Sequence, residues 1–229
     1  MWKVRVFTLY PELFPGPLDS GLYKKALDNK LWSLEVVNIR DYSLDKHRTV
    51  DDTPFGGGSG MVIRADVLAK SLDENITDKE ETIIYLSPKG KKFDQVCAKK
   101  FLKKNINIIC GHFEGVDQRI LETRNIEEVS IGDFILSGGE VGAFIIVDTI
   151  VRLISGVLGN PNSLKEETFE RNLLEYPQYT KPQKWEKKEV PPVLLTGDHA
   201  KIKHWRLTQS EDITRRRRPD LWKKYKKNK

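Results

Sequence analysis

Five short runs, Trp2 to Thr8, Leu34 to Ile39, Thr82 to Leu86, Ile106 to Cys110 and Val129 to Leu136, carry the β-branched and aromatic residues that suit strands. Helical stretches separate them: Gly21 to Lys30, Asp66 to Leu72, Phe93 to Lys104 and Gly142 to Ile154. Neighbouring parallel strands need a long crossover between them, usually a helix, so this alternation implies the α/β class with a mostly parallel sheet flanked by helices. In the last helix Phe144, Val147, Val151 and Ile154 recur at the helical period. In the third, Phe93, Val96, Cys97 and Phe101 make the expected core face. Around them Lys91, Lys92, Lys99, Lys100, Lys103 and Lys104 read as a solvated surface.

Two of the runs open into glycine. Ile106 to Cys110 leads into Gly111-His-Phe-Glu-Gly-Val-Asp117, and Val129 to Leu136 leads into Ser137-Gly-Gly-Glu140. In an open α/β sheet, loops at the carboxyl ends of strands are where ligands bind, and glycine lets backbone approach the ligand closely. The spacing is not Gly-x-Gly-x-x-Gly and no acidic residue follows at the ribose distance, which argues against a nicotinamide site. Gly56-Gly-Gly-Ser-Gly60 lacks the Gly-Lys-Ser/Thr ending of a phosphate loop. Flanked by Asp51, Asp52 and Arg64, it reads instead as a substrate-contacting segment.

At 229 residues the chain can bury a sizeable core. No apolar run reaches the length of a bilayer span, and the amino terminus begins with a strand rather than a charged and apolar leader, so a cytoplasmic protein is expected. Cys97 and Cys110 match no metal or redox spacing and read as buried free thiols. The four histidines are scattered, and neither a Ser/His/Asp triad nor a metal cluster can be assembled from the order of residues.

The net charge of +6 is unevenly spread: Lys181 to Lys229 hold 16 Lys or Arg against 6 Asp or Glu, and residues 1–180 hold 23 against 27. A basic end on a near-neutral α/β body suggests a polyanionic partner. The texture changes after Gly159, where Asn160 to Thr168 is polar and aperiodic, as a linker is. Beyond it lie a proline-rich stretch, Tyr176 to Pro192, and a helix with Asp198 as N-cap. On that helix Ile202 and Trp205 can face inward while His199, Lys203 and Arg206 form a basic stripe. Arg215 to Arg218 and Lys223 to Lys229 extend the charge.

Many ordered segments together resemble the bacterial tRNA (guanine-N1)-methyltransferases, a family of the SPOUT class. They are His47-Arg-Thr-Val-Asp-Asp52, Gly56-Gly-Gly-Ser-Gly-Met61, Tyr85-Leu-Ser-Pro88, the two glycine loops, Tyr179-Thr-Lys-Pro182, Val190-Pro-Pro-Val-Leu-Leu195 and His204-Trp-Arg-Leu207. The resemblance runs from Trp2 to about Leu221. It implies a trefoil knot at the cofactor site, a knotted α/β domain over residues 1–159, a linker over 160–175 and a small, mainly helical, basic domain over 176–229. The implied reaction is methyl transfer from S-adenosylmethionine to N1 of the guanosine immediately 3′ of the tRNA anticodon, with magnesium as a further implied cofactor. The implied assembly is a homodimer with active sites between subunits, acting on the anticodon stem-loop and not on DNA.

By the same resemblance the cofactor pocket comprises Tyr85, Leu86, Ser87, Pro88, Gly111, Glu114, Ile131, Gly132, Asp133, Phe134, Ile135, Leu136, Gly138 and Gly139, with Glu175. Asp51, Gly57 and Gly58 are expected near the target base, and His199, Lys203, Arg206, Arg215 and Arg216 along the tRNA. Guanine N1 carries a proton at neutral pH, so the reaction needs a base and a group to hold the charge developing on O6. Glu167 and Arg152 are the candidates. The chain departs from the family pattern at three positions: Glu167 and Glu175 stand where Asp is usual, and His112 where Arg is usual. Two alternatives stay open: another SPOUT RNA methyltransferase, and a tRNA-binding module that has lost the transfer chemistry.

Overall fold

A computed structural model of the chain describes residues 1–78, 80–159, 168–169 and 171–228. The chain divides into two units, Met1–Gly159 and Asn160–Lys229. The first is built on a five-stranded sheet of β1 (Trp2–Thr8), β2 (Trp32–Asn38), β5 (Thr82–Lys92), β6 (Ile106–Ile109) and β7 (Glu127–Ser130), in the order β2-β1-β6-β5-β7. All its pairings are parallel, as the alternation of elements requires. Two short strands, β3 (Asp51–Asp52) and β4 (Val62–Ile63), pair antiparallel beside it. The helices are α1 (Gly21–Asp28), α2 (Ala65–Asn75), α3 (Gln95–Phe101), α4 (Gln118–Thr123) and α5 (Glu140–Val151).

Register divides the core into two layers. Val4 pairs with Ile106 and Val6 with Ile108, and these side chains share one cluster with Ile84, Phe101, Ile146 and Ile150. Phe7 pairs with Ile109 and Ile109 with Tyr85, and these share the opposite cluster with Val67, Leu68, Leu72 and Ile120. Successive strand residues point to opposite faces, so one register serves both layers. Helices α1, α3 and α5 therefore cover one face of the sheet, and α2 and α4 the other.

Three sequence expectations are corrected. The run Val129 to Leu136 is strand only to Ser130; Phe134, Ile135 and Leu136 lie in a loop and are partly exposed, Ile135 at 80%. On α3, Val96 is 75% exposed and Ala98 takes the buried place beside Phe101. Cys97 is only half-buried, while Cys110 is fully buried. Burial pushes both thiols above their ordinary range, which keeps them protonated and unreactive at neutral pH.

The loop before β3 is tied by one half-buried carboxylate. Asp45 accepts from the backbone N–H of His47 and Thr49 and from the hydroxyls of Ser43 and Thr49, at 2.8–3.1 Å. Hydrogen bonds to the charged form, the Thr49 N–H first, lower its pKa from 3.8 to about 2. A depressed acid contributes stability that is complete above its unfolded value and is lost as pH falls through the folded one. Protection of the Thr49 amide against hydrogen exchange is thus expected to hold above pH 3.8 and to fail as pH drops toward about 2.

The second unit holds a short hairpin, β8 (Lys184–Trp185) and β9 (Lys188–Glu189), and two helices, α6 (His199–Arg217) and α7 (Pro219–Lys227). Asp198 caps α6 by accepting from the N–H groups of Ala200 and Lys201. The hydroxyl of Tyr225 on α7 donates to Glu211 on α6 at 2.6 Å. Among the described residues no helix is long and apolar enough to cross a membrane.

Candidate active site

The carboxyl ends of β5, β6 and β7 enclose a cavity of about 360 Å³. Its walls are Tyr85, Leu86, Ser87 and Pro88 from β5, Gly111 and Glu114 from the first glycine loop, and Ile131, Gly132, Phe134, Ile135, Leu136, Gly138 and Gly139 from the second. Each follows directly from a buried strand, so the sheet holds all three segments in place. Asp133 is exposed and lies outside this lining. Sequence reasoning missed Glu128, His112 and Gln118, which also line it. Of these, Glu128 carried a signal, as a carboxylate standing just before an apolar strand end.

The two loops meet backbone to backbone. The Gly139 N–H donates to the Gly111 carbonyl at 3.0 Å, and a Cβ on Gly139 would stand 2.6 Å from the Cys110 Cα. Only glycine fits that approach. Gly139→Ala is therefore expected to cost about 1–3 kcal/mol, because the displaced atom is backbone and cannot rotate away. Urea denaturation reads this directly; a variant as stable as the parent would mean that the loops separate freely.

The site also gathers the segment after β3. The Glu114 N–H donates to the Met61 carbonyl at 2.9 Å, and the Glu114 side chain lies against Gly60. Strand β4 runs beside the first glycine loop, with the Ile63 N–H donating to the Gly115 carbonyl and the Asp117 N–H to the Ile63 carbonyl. Gly57 and Gly58 are exposed at positive φ, Gly57 with open space around it and Gly58 beside Pro54, and Asp51 is half-buried in β3. Tyr85 is buried at the cavity wall, and desolvation pushes its phenol above its ordinary range.

Volume and chemistry fit S-adenosylmethionine. The cavity falls in the range of about 300–1,000 Å³ typical of small-molecule sites. Apolar walls from Leu86, Ile131 and Phe134 suit a purine, loop backbone can read its edge, and Glu114 and Glu128 supply negative charge for a sulfonium and an ammonium.

Arg152 stands elsewhere. It caps the carboxyl end of α5, whose amino end touches the cavity at Gly142, and a helix of twelve residues spans roughly 18 Å. There it is a neighbour of Tyr23, whose phenol is pushed up to about 12 by its hydrogen bond to Asp148 and by burial, with the Arg152 charge opposing. The other expected catalytic residue, Glu167, lies outside the described residues. Among the described residues no three His, Cys, Asp or Glu side chains gather as a metal would require.

In the second unit, His199, Lys203 and Arg206 stand at successive turns of α6 and line a cavity of about 510 Å³ with Arg171, Leu174 and Tyr176. The Arg206 guanidinium lies over the Tyr176 ring at 4.7 Å, and its Nε is buried without a hydrogen-bond partner among the described residues. Arg215 and Arg216 both pair with Asp212 yet stay about two-thirds exposed, at 65% and 66%. Glu175 accepts from the Gln178 amide at 2.7 Å, and its own N–H donates to the Thr168 hydroxyl.

Comparison with known proteins agrees with this geometry. The family model described as tRNA (Guanine-1)-methyltransferase matches residues 2–224. A tRNA (guanine-N(1)-)-methyltransferase of Pelagibacter ubique is 68% identical over the full length of both chains. Proteins of the same name from Bartonella tribocorum and Ruegeria pomeroyi are 54% and 47% identical, covering 99% and 100% of this chain and 97% and 96% of theirs. The chain belongs to the tRNA (guanine-1)-methyltransferase family.

Proposed function

We propose that this protein methylates N1 of the guanosine immediately 3′ of the tRNA anticodon, using S-adenosylmethionine held in the glycine-loop cavity. The observation that carries the reading is that cavity, with acidic and apolar walls at the carboxyl ends of three parallel strands, in a chain of this family. S-adenosylmethionine supplies an activated methyl group when bound. The protein then has to hold the guanine in line and manage one proton and one charge. Glu167 takes the N1 proton, and the Arg152 guanidinium holds the charge that develops on O6. A target in a single-stranded loop can be splayed out and read on its Watson-Crick edge, and Asp51, Gly57 and Gly58 would lie beside it. His199, Lys203, Arg206, Arg215 and Arg216 would bind stem phosphates, which gives strongly salt-dependent affinity. A tRNA substrate also implies a cytoplasmic protein.

The reaction needs two chains in this reading. Arg152 lies roughly 15 Å along α5 from Gly142 at the cavity wall, too far to serve a cofactor bound by its own subunit. Helix α5 is mostly apolar, and Val141 and Ile145 on it are exposed, as are Phe134 and Ile135 in the second glycine loop just before it in sequence. Exposed apolar surface of this kind marks an association site. We read it as the homodimer interface, and the close contact of Gly139 with Cys110 supports a trefoil knot at the cofactor site.

Labelled S-adenosylmethionine incubated with a transcript bearing the guanosine, beside one bearing adenosine there, tests the reaction. Label in the first alone is expected. Equal label in both would point to another SPOUT target, and none in either with tRNA bound would point to an inactive binding module. Magnesium, implied by the resemblance, is read by titrating EDTA into the same assay.

A further inference from the structure

The carboxylate of Glu140, on the first residue of α5, is only 3% exposed in the otherwise apolar start of the helix. It is met from two sides. His112 Nε2, in the first glycine loop, lies 2.8 and 2.9 Å from its two oxygens, and the Thr8 hydroxyl at the end of β1 donates to it at 2.6 Å. Thr8 in turn accepts from the Tyr10 N–H at 2.9 Å, and the Tyr10 ring stands edge-on to His112 at 4.9 Å. Gly138 lies so close to His112 and Glu140 that a Cβ there would overlap the imidazole. Two segments of chain far apart in sequence thus converge on one buried carboxylate, next to His112 and Gly138 of the cavity wall.

We propose that His112, Glu140 and Thr8 form a latch that fixes the spacing of the two glycine loops for S-adenosylmethionine, with His112 as its positioning residue. This deepens the reading of the cavity as the cofactor site and rests on it. A buried carboxylate needs a partner, and removing one partner leaves an uncompensated charge. At Glu140 that charge would sit between the loops and drive them apart or draw in water. The backbone bond from Gly139 to Gly111 ties the main chains of the loops, and the latch adds a side-chain tie from the first loop and from β1 to the start of α5. Donation from position 112 is what the latch requires, so the shape of imidazole matters less than its N–H.

The test compares His112→Leu and His112→Gln, with calorimetric titration of S-adenosylmethionine into the apo dimer and tRNA affinity measured separately. Leucine fills the space without a donor, and its cofactor affinity should fall by about tenfold or more, the loss expected for a hydrogen bond to a buried charge. Glutamine keeps an N–H and should stay within about threefold. Affinity for tRNA without cofactor should be unchanged in both. The proposal is overturned if the leucine variant binds the cofactor like the parent, if glutamine loses as much as leucine, or if tRNA affinity falls in parallel. Should the leucine variant not fold, Thr8→Val reads the same latch from β1: weaker cofactor binding supports it, and parental binding overturns it. If the parent itself binds no S-adenosylmethionine, the reading of the cavity fails first, separately from the latch.

Discussion

Replacing Glu167 with Gln is expected to lower kcat by about 10²–10⁴-fold, the usual contribution of a positioned general base, with cofactor and tRNA affinity nearly unchanged. Gln keeps the size and loses only the ability to take a proton, so the loss should appear in single-turnover rates and not in binding. Guanine N1 cannot attack while it holds its proton, whereas a ring nitrogen that carries none needs no base. A variant keeping more than about a tenth of the parental rate would therefore defeat both the base assignment and the guanine-N1 target. Glu167→Asp gives a second reading. Glu reaches one methylene farther than the Asp usual in the family, and a displacement near 1 Å can change a rate about a hundredfold. If the linker has adjusted to the longer side chain, the aspartate variant should be slower than the parent.

The second large effect is complementation between two dead proteins. Arg152→Ala removes the guanidinium at the far end of α5, and Ile131→Arg fills the cavity; each alone should be inactive. Refolded together in equal amounts they should recover about a quarter of parental activity, since half of the dimers are mixed and each mixed dimer rebuilds one of two sites. The rebuilt site takes its cavity from the Arg152→Ala chain and its arginine from the other. No recovery, with mixed dimers present by mass, would mean that Arg152 serves its own subunit's cavity, against the span of α5. Ile145→Asp should separate the subunits and abolish turnover, and sedimentation against concentration would read the separation.

The sheet was legible because β-branched runs alternating with helical periods leave few ways to bury both patterns, and β1 has the expected bounds, Trp2–Thr8. The glycine loops were legible because glycine directly after a buried strand is costly unless something approaches closely. Ile131 to Leu136 was misread for a physical reason: an apolar run has the same letters whether it faces a core or another molecule, and Phe134 and Ile135 face outward. Val96 was misread because a helical face can be drawn several ways through a short helix, and Ala98 beside Phe101 is the side that meets the sheet. The role of Glu140 was hidden because its two partners, Thr8 and His112, are 132 and 28 residues away. The roles proposed for Arg152 and Glu167 could not be read from their neighbours alone, since an arginine after a helix and a linker acid are ordinary in any chain.

Helix α5 connects the cavity to Arg152 with no break, starting at Glu140 beside the latch and ending at Val151, one residue short of the arginine. It therefore behaves as a ruler with a phase. Each residue added or removed would shift the guanidinium by about 1.5 Å and swing it by roughly 100° around the axis. A single-residue insertion should silence the enzyme while leaving both ends intact, and even a whole added turn would restore the direction at the wrong distance. On the role proposed for Arg152, insertions that surface loops tolerate should be absent from α5 in active relatives.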